Sequence, residues 1–208
     1  MFRNGFSAAV RLLLLPLLLL PGVSTSQTAP FSNSETLLSL LGKGELALVE
    51  SRGDSSLKQV TAIAVVSAPI DVVWARITDY AAYQSWMPKV GAVTVLKTEG
   101  NTQQIDWDIE VPGPNYKYTM QSVADKSTWT VKQKQIGGAL KGSFWGWQLV
   151  SQGANSTLVF RTTFTNVTGE SWIATQLDDE NQTLNYSINI SSALLEVKAV
   201  SRAFSGKK

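Results

Sequence analysis

From Val90 to Phe164 the hydrophobic side chains fall at every second position, stretch after stretch, with Gly, Pro, Asn or Asp between the stretches. That period of two is the signature of half-buried β-strands. The cleanest case runs from Thr102 to Val111. Ile105, Trp107, Ile109 and Val111 share one face, and Gln104, Asp106, Asp108 and Glu110 share the other. Strands are also expected over Val90–Thr98, from Tyr116 through Met120, around Trp129 and Val131, over Ser143–Val150 and over Leu158–Phe164. Turns at Glu99-Gly100-Asn101, Pro112–Asn115, Asp125–Ser127, Gly137-Gly138 and Gly153–Asn155 separate them. A chain written this way folds as an antiparallel meander, and such a sheet has to hide one face.

The covering elements are legible on either side. Glu45–Ser51 and Leu57–Val66 read as two strands joined by a turn at Gly53–Ser56, after a short helix over Leu37–Leu41 that Gly42 ends. Between Val66 and Val90 the period lengthens. Ile70, Val73, Trp74 and Ile77 recur at helical spacing, with Pro69 suited to a first helical position. Asp79 reads as the N-cap of a second short helix carrying Tyr83, Trp86 and Met87, which Pro88 ends. Towards the C-terminus a long helix is expected, starting between Ser171 and Asn181. Leu184, Ile188, Ser191 and Leu195 mark its stripe, which Tyr186, Ile190, Leu194 and Val197 widen. Ser191, Ser192 and Ala193 allow close packing on the sheet, or leave room for a ligand. The fold class is α+β, a curved antiparallel sheet wrapped around the C-terminal helix, with two short helices closing the mouth.

Residues 1–26 stand apart. Arg3 and Arg11 precede an apolar run from Leu12 to Leu20, broken by Pro16, and Ser24-Thr25-Ser26 offers small residues for cleavage. This is the pattern of a secretory signal peptide, and the run is too short to span a bilayer. The expectation is export to a periplasm or the exterior, with residues 27–208 as a single domain acting as a monomer. The leader holds two of the 18 basic residues and none of the 16 acidic ones, so the remainder is formally neutral. No single-sign field is left to attract nucleic acid. With no Cys and no His, thiolate chemistry and the commonest metal ligand and general base are excluded. No metal or cofactor is implied. Asn155, Asn166, Asn181, Asn185 and Asn189 each begin an N-x-S/T triplet, which becomes a glycan acceptor only in a eukaryotic secretory chain.

Val65 to Val90, VVSAPIDVVWARITDYAAYQSWMPKV, is similar to the opening signature of the START-like, birch-allergen-like helix-grip superfamily, SRPBCC, in the version carried by its coenzyme Q-binding branch. Gly142-x-Phe144-x-Gly146-Trp147-x-Leu149 and the strand Thr157–Arg161 also resemble it. The resemblance covers roughly residues 45–205. It implies binding of an apolar small molecule (a lipid, an isoprenoid quinone or a polyketide) in an internal cavity, with transient membrane contact for exchange. The leader departs from many members and speaks against a cytoplasmic role.

Seven Trp can fill a core or line a cavity. The candidate lining is Trp107, Ile109, Tyr118, Trp129, Trp145, Trp147 and Phe160 from the sheet, and Ile188 and Leu195 from the last helix. Tyr83, Trp86 and Met87, with the hairpin at Pro112–Asn115, are the candidate gate. Asp106, Asp108 and Glu110 face solvent if the aromatics face inward. Asp178, Asp179 and Glu180 are consecutive and diverge. Arg161 is exposed if its face is outer; if inner, it is a buried cation that needs an anionic partner or a ligand headgroup. The function expected is non-catalytic binding or transport. The alternative is a cyclase or dehydratase using Tyr116 or Tyr118 as its acid.

Overall fold

The computed structural model describes residues 35–111, 113–167 and 182–205. The chain parts into Met1–Pro30 and Phe31–Lys208, and all the described residues belong to the second unit. Its strands are β1 Leu46–Ser51, β2 Leu57–Val66, β3 Val90–Glu99, β4 Thr102–Ile109, β5 Tyr116–Asp125, β6 Thr130–Gly138, β7 Phe144–Ser151 and β8 Thr157–Phe164. The helices are α1 Glu35–Leu41, α2 Ile70–Thr78, a 3-10 helix Tyr80–Ser85, and α3 Gln182–Ala203. The strand boundaries follow the alternation in the sequence closely. Asp178–Glu180 and residues 206–208 lie outside the described residues, as does Pro112.

All eight strands form one antiparallel sheet in the order β1-β2-β8-β7-β6-β5-β4-β3. From β4 to β8 each strand pairs with the one before it, as short hairpins dictate, and β8 then pairs with β2. The connection from β2 to β3 therefore crosses nearly the whole sheet. α2 and the 3-10 helix make that crossing, touching β7 and β3 on the way. Val73, Trp74 and Ile77 are buried, as their spacing predicts.

Two local expectations are corrected. Pro69 is the N-cap of α2 rather than its first helical residue; its ψ of 147° is extended. Asp79 makes no side-chain cap. The end of α2 is secured from within: Thr78 Oγ1 donates to the Trp74 carbonyl at 2.8 Å, and the buried Tyr83 hydroxyl donates to the Ile77 carbonyl at 2.7 Å. The Ile77 carbonyl, in the last turn, has no partner inside the helix, so the tyrosine and the helix end satisfy each other.

α3 also turns a different face inward than its most hydrophobic stripe suggests. Asn189, Ala193, Val197 and Val200 are fully buried, while Ser191 is exposed and Leu195 is 45% exposed. The reason is the surface beneath. α3 packs on β2, whose inward side is Val60, Ala62, Ala64 and Val66, all buried. Small residues on both elements let the backbones approach, which favours the Ala193 face over the leucines. Asn189 tolerates burial because the chain after β8 pairs with it: Thr165 N–H donates to Asn189 Oδ1 at 2.6 Å, and Asn189 Nδ2 donates to the Thr165 carbonyl at 3.0 Å.

Gly138 closes β6 against β5 with φ +77°, and a Cβ there would meet the Lys117 carbonyl oxygen at 2.5 Å and Tyr118 Cα at 2.8 Å. Gly100, in the β3–β4 hairpin, also has positive φ (+57°) but faces open space. Gly100→Ala should cost about 1 kcal/mol, the left-handed penalty alone. Gly138→Ala should cost at least about 2 kcal/mol, because backbone has to move as well. Urea unfolding of the two variants checks this; equal losses would mean that β5 yields freely at Tyr118.

Candidate functional site

The inward faces of β4 to β8 and one flank of α3 enclose a cavity of about 120 Å³. Strand register fixes its walls. Trp107 on β4 lies opposite Tyr118 on β5, and Trp147 on β7 lies opposite Arg161 on β8. Tyr118 stacks on Trp145 with centroids 5.3 Å apart and planes 17° apart. Tyr83 of the 3-10 helix packs edge-on against Trp107 at 5.3 Å. The Trp107 indole N–H is buried with no acceptor among the described residues.

One side of this apolar chamber is polar. Arg161 is buried and its Nε forms an ion pair with Glu196 of α3; the two side chains are 7% and 20% exposed. The guanidinium lies 4.5 Å over the Trp147 ring, a cation–π contact. Arg161 Nη1 donates to Gln133 Oε1 at 2.8 Å, and Gln133 Nε2 donates to the Tyr80 hydroxyl at 3.0 Å. That hydroxyl pairs with Ser122 Oγ at 2.6 Å. The result is a continuous polar chain from α3 across β8, β6 and the 3-10 helix to β5. Burial pushes the Glu196 carboxyl above its ordinary pKa, against the opposing pull of Arg161. Burial also raises the Tyr118 phenol, helped by the Glu196 charge and opposed by Arg161. Tyr83 is raised well above its usual value by burial. Tyr80 is raised by burial less its bonds to Ser122 and Gln133.

Of the residues expected at the site, Tyr83, Met87, Trp107, Ile109, Tyr118 and Trp145 line the cavity, and so do Trp147 and Leu195. Leu195 does so from a half-exposed position at the rim. Tyr83 is buried and belongs to the wall rather than to a gate. Five others stand elsewhere. Phe160 is on the opposite face of β8, because Arg161 takes the inward position; it pairs with Ile63 on the outer side of β2, where α1 packs and Leu37 and Leu41 are buried. Trp129 sits in the β5–β6 turn with φ +53° and packs edge-on against Trp74 at 5.6 Å. Trp86 lies in an outer groove, with Arg76 over its ring at 5.7 Å. Ile188 is half-buried against the core away from the cavity, and the buried Tyr116 hydroxyl has no partner among the described residues. Asp106, Asp108 and Glu110 keep to the outer face, where Asp106 accepts from Thr119 and Asp108 from Asn115 and Lys117.

Sequence reasoning missed Glu196, Gln133, Tyr80 and Ser122. Glu196 carried a signal, as the lone acid on the helix face that holds Ser192, Ala193, Val197 and Val200. Gln133 carried one too: Lys132 and Lys134 flank it and claim the outer face of β6.

Burial of the ion pair makes its two members unequal. A carboxyl can take up a proton, whereas a guanidinium stays charged. Glu196→Leu, which strands Arg161, should cost about 3 kcal/mol, and Arg161→Met added to it should restore most of that loss. Urea unfolding of the single and double variants decides; additive losses would refute the coupling. Because the folded-state pKa of Glu196 is raised, this residue's contribution to stability falls as pH climbs from the ordinary carboxylate range through the raised value. Glu196→Gln should remove that downward slope from a pH series of unfolding free energies.

The geometry agrees with comparison to known proteins. Residues 66–175 match the family described as polyketide cyclase / dehydrase and lipid transport. No curated protein sequence matches the chain. Among solved structures, the Zhui aromatase/cyclase of Streptomyces sp. R1128 is similar over 70% of this chain and 92% of its own, at 18% identity and a TM-score of 0.61. A STAR-related lipid transfer protein of Xanthomonas axonopodis is similar over 78% and 94%, at 21% identity and 0.59. The lipid transfer and protein localization domain of human StarD13 is similar over 83% and 95%, at 12% identity and 0.56. These likenesses establish the START-like helix-grip fold. With more than half of its length matched, the chain belongs to the polyketide cyclase/dehydrase and lipid transport family of the SRPBCC superfamily.

Proposed function

We propose that this chain binds and carries an apolar small molecule in the cavity between the sheet and α3, outside the cytoplasm, without transforming it. The observation that carries the reading is the chamber itself: Trp107, Tyr118, Trp145 and Trp147 wall it, and Arg161, Glu196 and Gln133 stand together in its lining. The family's range, lipid transport and polyketide cyclisation, is consistent with such a ligand. The leader at residues 1–26 supports the extracytoplasmic setting, and among the described residues no helix is long and apolar enough to cross a membrane.

At about 120 Å³ the chamber is smaller than the roughly 300 Å³ at which drug-sized pockets begin. A lipid-sized ligand therefore has to open it. Met87, Pro88 and Leu195 also border an outer groove of about 470 Å³ between the 3-10 helix and the end of α3. Moving the Met87 and Leu195 side chains would join groove to chamber, and methionine is the residue best able to adapt.

The cyclase or dehydratase alternative rests on Tyr118, since the Tyr116 hydroxyl does not reach the cavity wall. Its raised pKa makes Tyr118 a weaker proton donor than an ordinary phenol. The reading favours a hydrogen-bonding role for it.

The test is native mass spectrometry of protein purified from its own host, followed by organic extraction. The expected result is one lipid-like molecule per chain, on a polypeptide whose mass begins near Gln27. Tyr118→Phe should still carry it. An empty protein that also leaves a hydrophobic fluorescent probe unperturbed would overturn the proposal.

A further inference from the structure

The sheet is open, and its two edges, β1 and β3, are unequal. α3 reaches β1, where the Tyr186 hydroxyl lies 2.6 Å from Ser51 Oγ. The 3-10 helix packs on β3, yet every residue from Thr94 to Glu99 is exposed, Leu96 at 53%. Leu96 is also the extra residue of a bulge, since Val95 faces Ile105 and Lys97 faces Gln104. Beyond the bulge the ladder is regular as far as the turn at Gly100. Ala124 N–H donates to the Asn101 carbonyl at 2.9 Å. Asn101 and Gln103 are thereby turned towards β5 and, by antiparallel alternation, Thr102 and Gln104 towards β3. Their partners are Glu99 and Lys97. The peptide groups of those two residues are therefore taken up by β4, and those of Thr98 between them point off the free edge. Lys97 and Glu99 are both exposed and pair with each other at 2.7 Å.

We propose that the end of β3 is a docking edge for a second copy of this chain, paired antiparallel about a two-fold axis at Thr98. Two requirements meet at that register. Thr98 N–H and the Thr98 carbonyl are free to exchange hydrogen bonds with Thr98 of the second copy. Lys97 then stands opposite Glu99 of the second copy and Glu99 opposite its Lys97, so each attraction occurs twice. A two-fold axis at Lys97 or at Glu99 would set like charges opposite each other and call on peptide groups that β4 already holds. The bulge at Leu96 stops the pairing from running further along β3, which leaves one register and a contact small enough to depend on concentration. Val95 and Leu96, 37% and 53% exposed, flank the paired stretch on each copy. A dimer departs from the monomer expected from the sequence, in which strand order, and so the identity of the edge, cannot be read.

Sedimentation velocity over a concentration series, on protein purified from its own host, should show a monomer passing into a dimer. Lys97→Glu and Glu99→Lys each put like charges opposite across the axis twice over, and each should weaken the dimer at least tenfold. The two substitutions together restore opposite charges and should bring the dimer back to near its original strength. The chain has no cysteine, so a cross-link reads the register directly. Hydrogen-bonded antiparallel neighbours lie about 5.5 Å apart at Cα, within disulfide reach. Thr98→Cys should therefore give a covalent dimer on mild oxidation, whereas Val49→Cys, exposed on the other edge, should stay largely monomeric. A monomer throughout the series, a dimer indifferent to both single charge variants, or cross-linking no faster at position 98 than at 49 overturns the docking edge. None of these outcomes touches the carrier reading.

Discussion

An eight-stranded sheet offers more inward surface than one helix can cover. α3 lies over β2, β8 and β1 and leaves the inward faces of β4 to β7 without it. α2 and the 3-10 helix fill part of the remainder, with Tyr80 and Tyr83 inserted against Trp107 at 6.0 and 5.3 Å. What is left between these covers is the chamber. Its existence follows from where α3 sits, and that position follows from Ala62 and Ala64 on β2 beneath Ala193 and Val197 on the helix. Leucines at the two strand positions would hold α3 further from the sheet and change the height of the chamber.

The same placement explains the polar chain. Glu196 projects from the flank of α3 that overhangs the chamber, and Arg161 is the inward residue of β8 that it can reach. Neither charge belongs in an apolar core on grounds of stability, since desolvation offsets much of their attraction. The raised pKa of Glu196 reflects that balance. Gln133, Tyr80 and Ser122 satisfy part of the remaining hydrogen-bonding capacity, and in doing so they fix the 3-10 helix against β5 and β6. The pair therefore ties three parts of the fold to one point: the last helix, the last strand and the crossing connection.

Most of the fold was legible in the sequence because strand alternation, turn residues and helix periodicity are local properties. The two faces of β4 were assigned correctly, carboxylates outside and Trp107 inside. The errors arose where a second surface competes for hydrophobic side chains. Phe160 and Arg161 are neighbours on β8, and hydrophobicity alone sends the phenylalanine inward. The outer side of β2 and β8 is itself buried under α1, so the phenylalanine has a place there and the arginine is left facing the chamber. Trp129 looked like a strand residue, yet a positive φ holds it in the turn against Trp74. On α3 the stripe through Leu184, Ile188, Ser191 and Leu195 was expected to face inward, whereas the face through Asn189, Ala193, Val197 and Val200 does; close packing on the sheet, one of the two readings of the small residues, holds at Ala193. Glu196 was overlooked for the same reason: once Ala193 and Val197 define the buried face, Glu196 stands beside them.

These corrections bear on what the chamber can hold. Removing Phe160, Trp129, Trp86 and Ile188 from its wall makes the site less uniformly greasy than the sequence implied, and adding Arg161, Glu196 and Gln133 gives it direction. An undirected apolar cavity distinguishes ligands mainly by size. A cavity with one polar pole orients its guest as well, with the polar end towards α3 and β8 and the apolar body against Trp107 and the Tyr118–Trp145 stack. Met87 and Leu195 then stand at the side where a longer apolar body would emerge. The fold thus separates two tasks. The sheet and α3 set which functional group is recognised, and the junction of the 3-10 helix with β3 sets how long a molecule can be admitted.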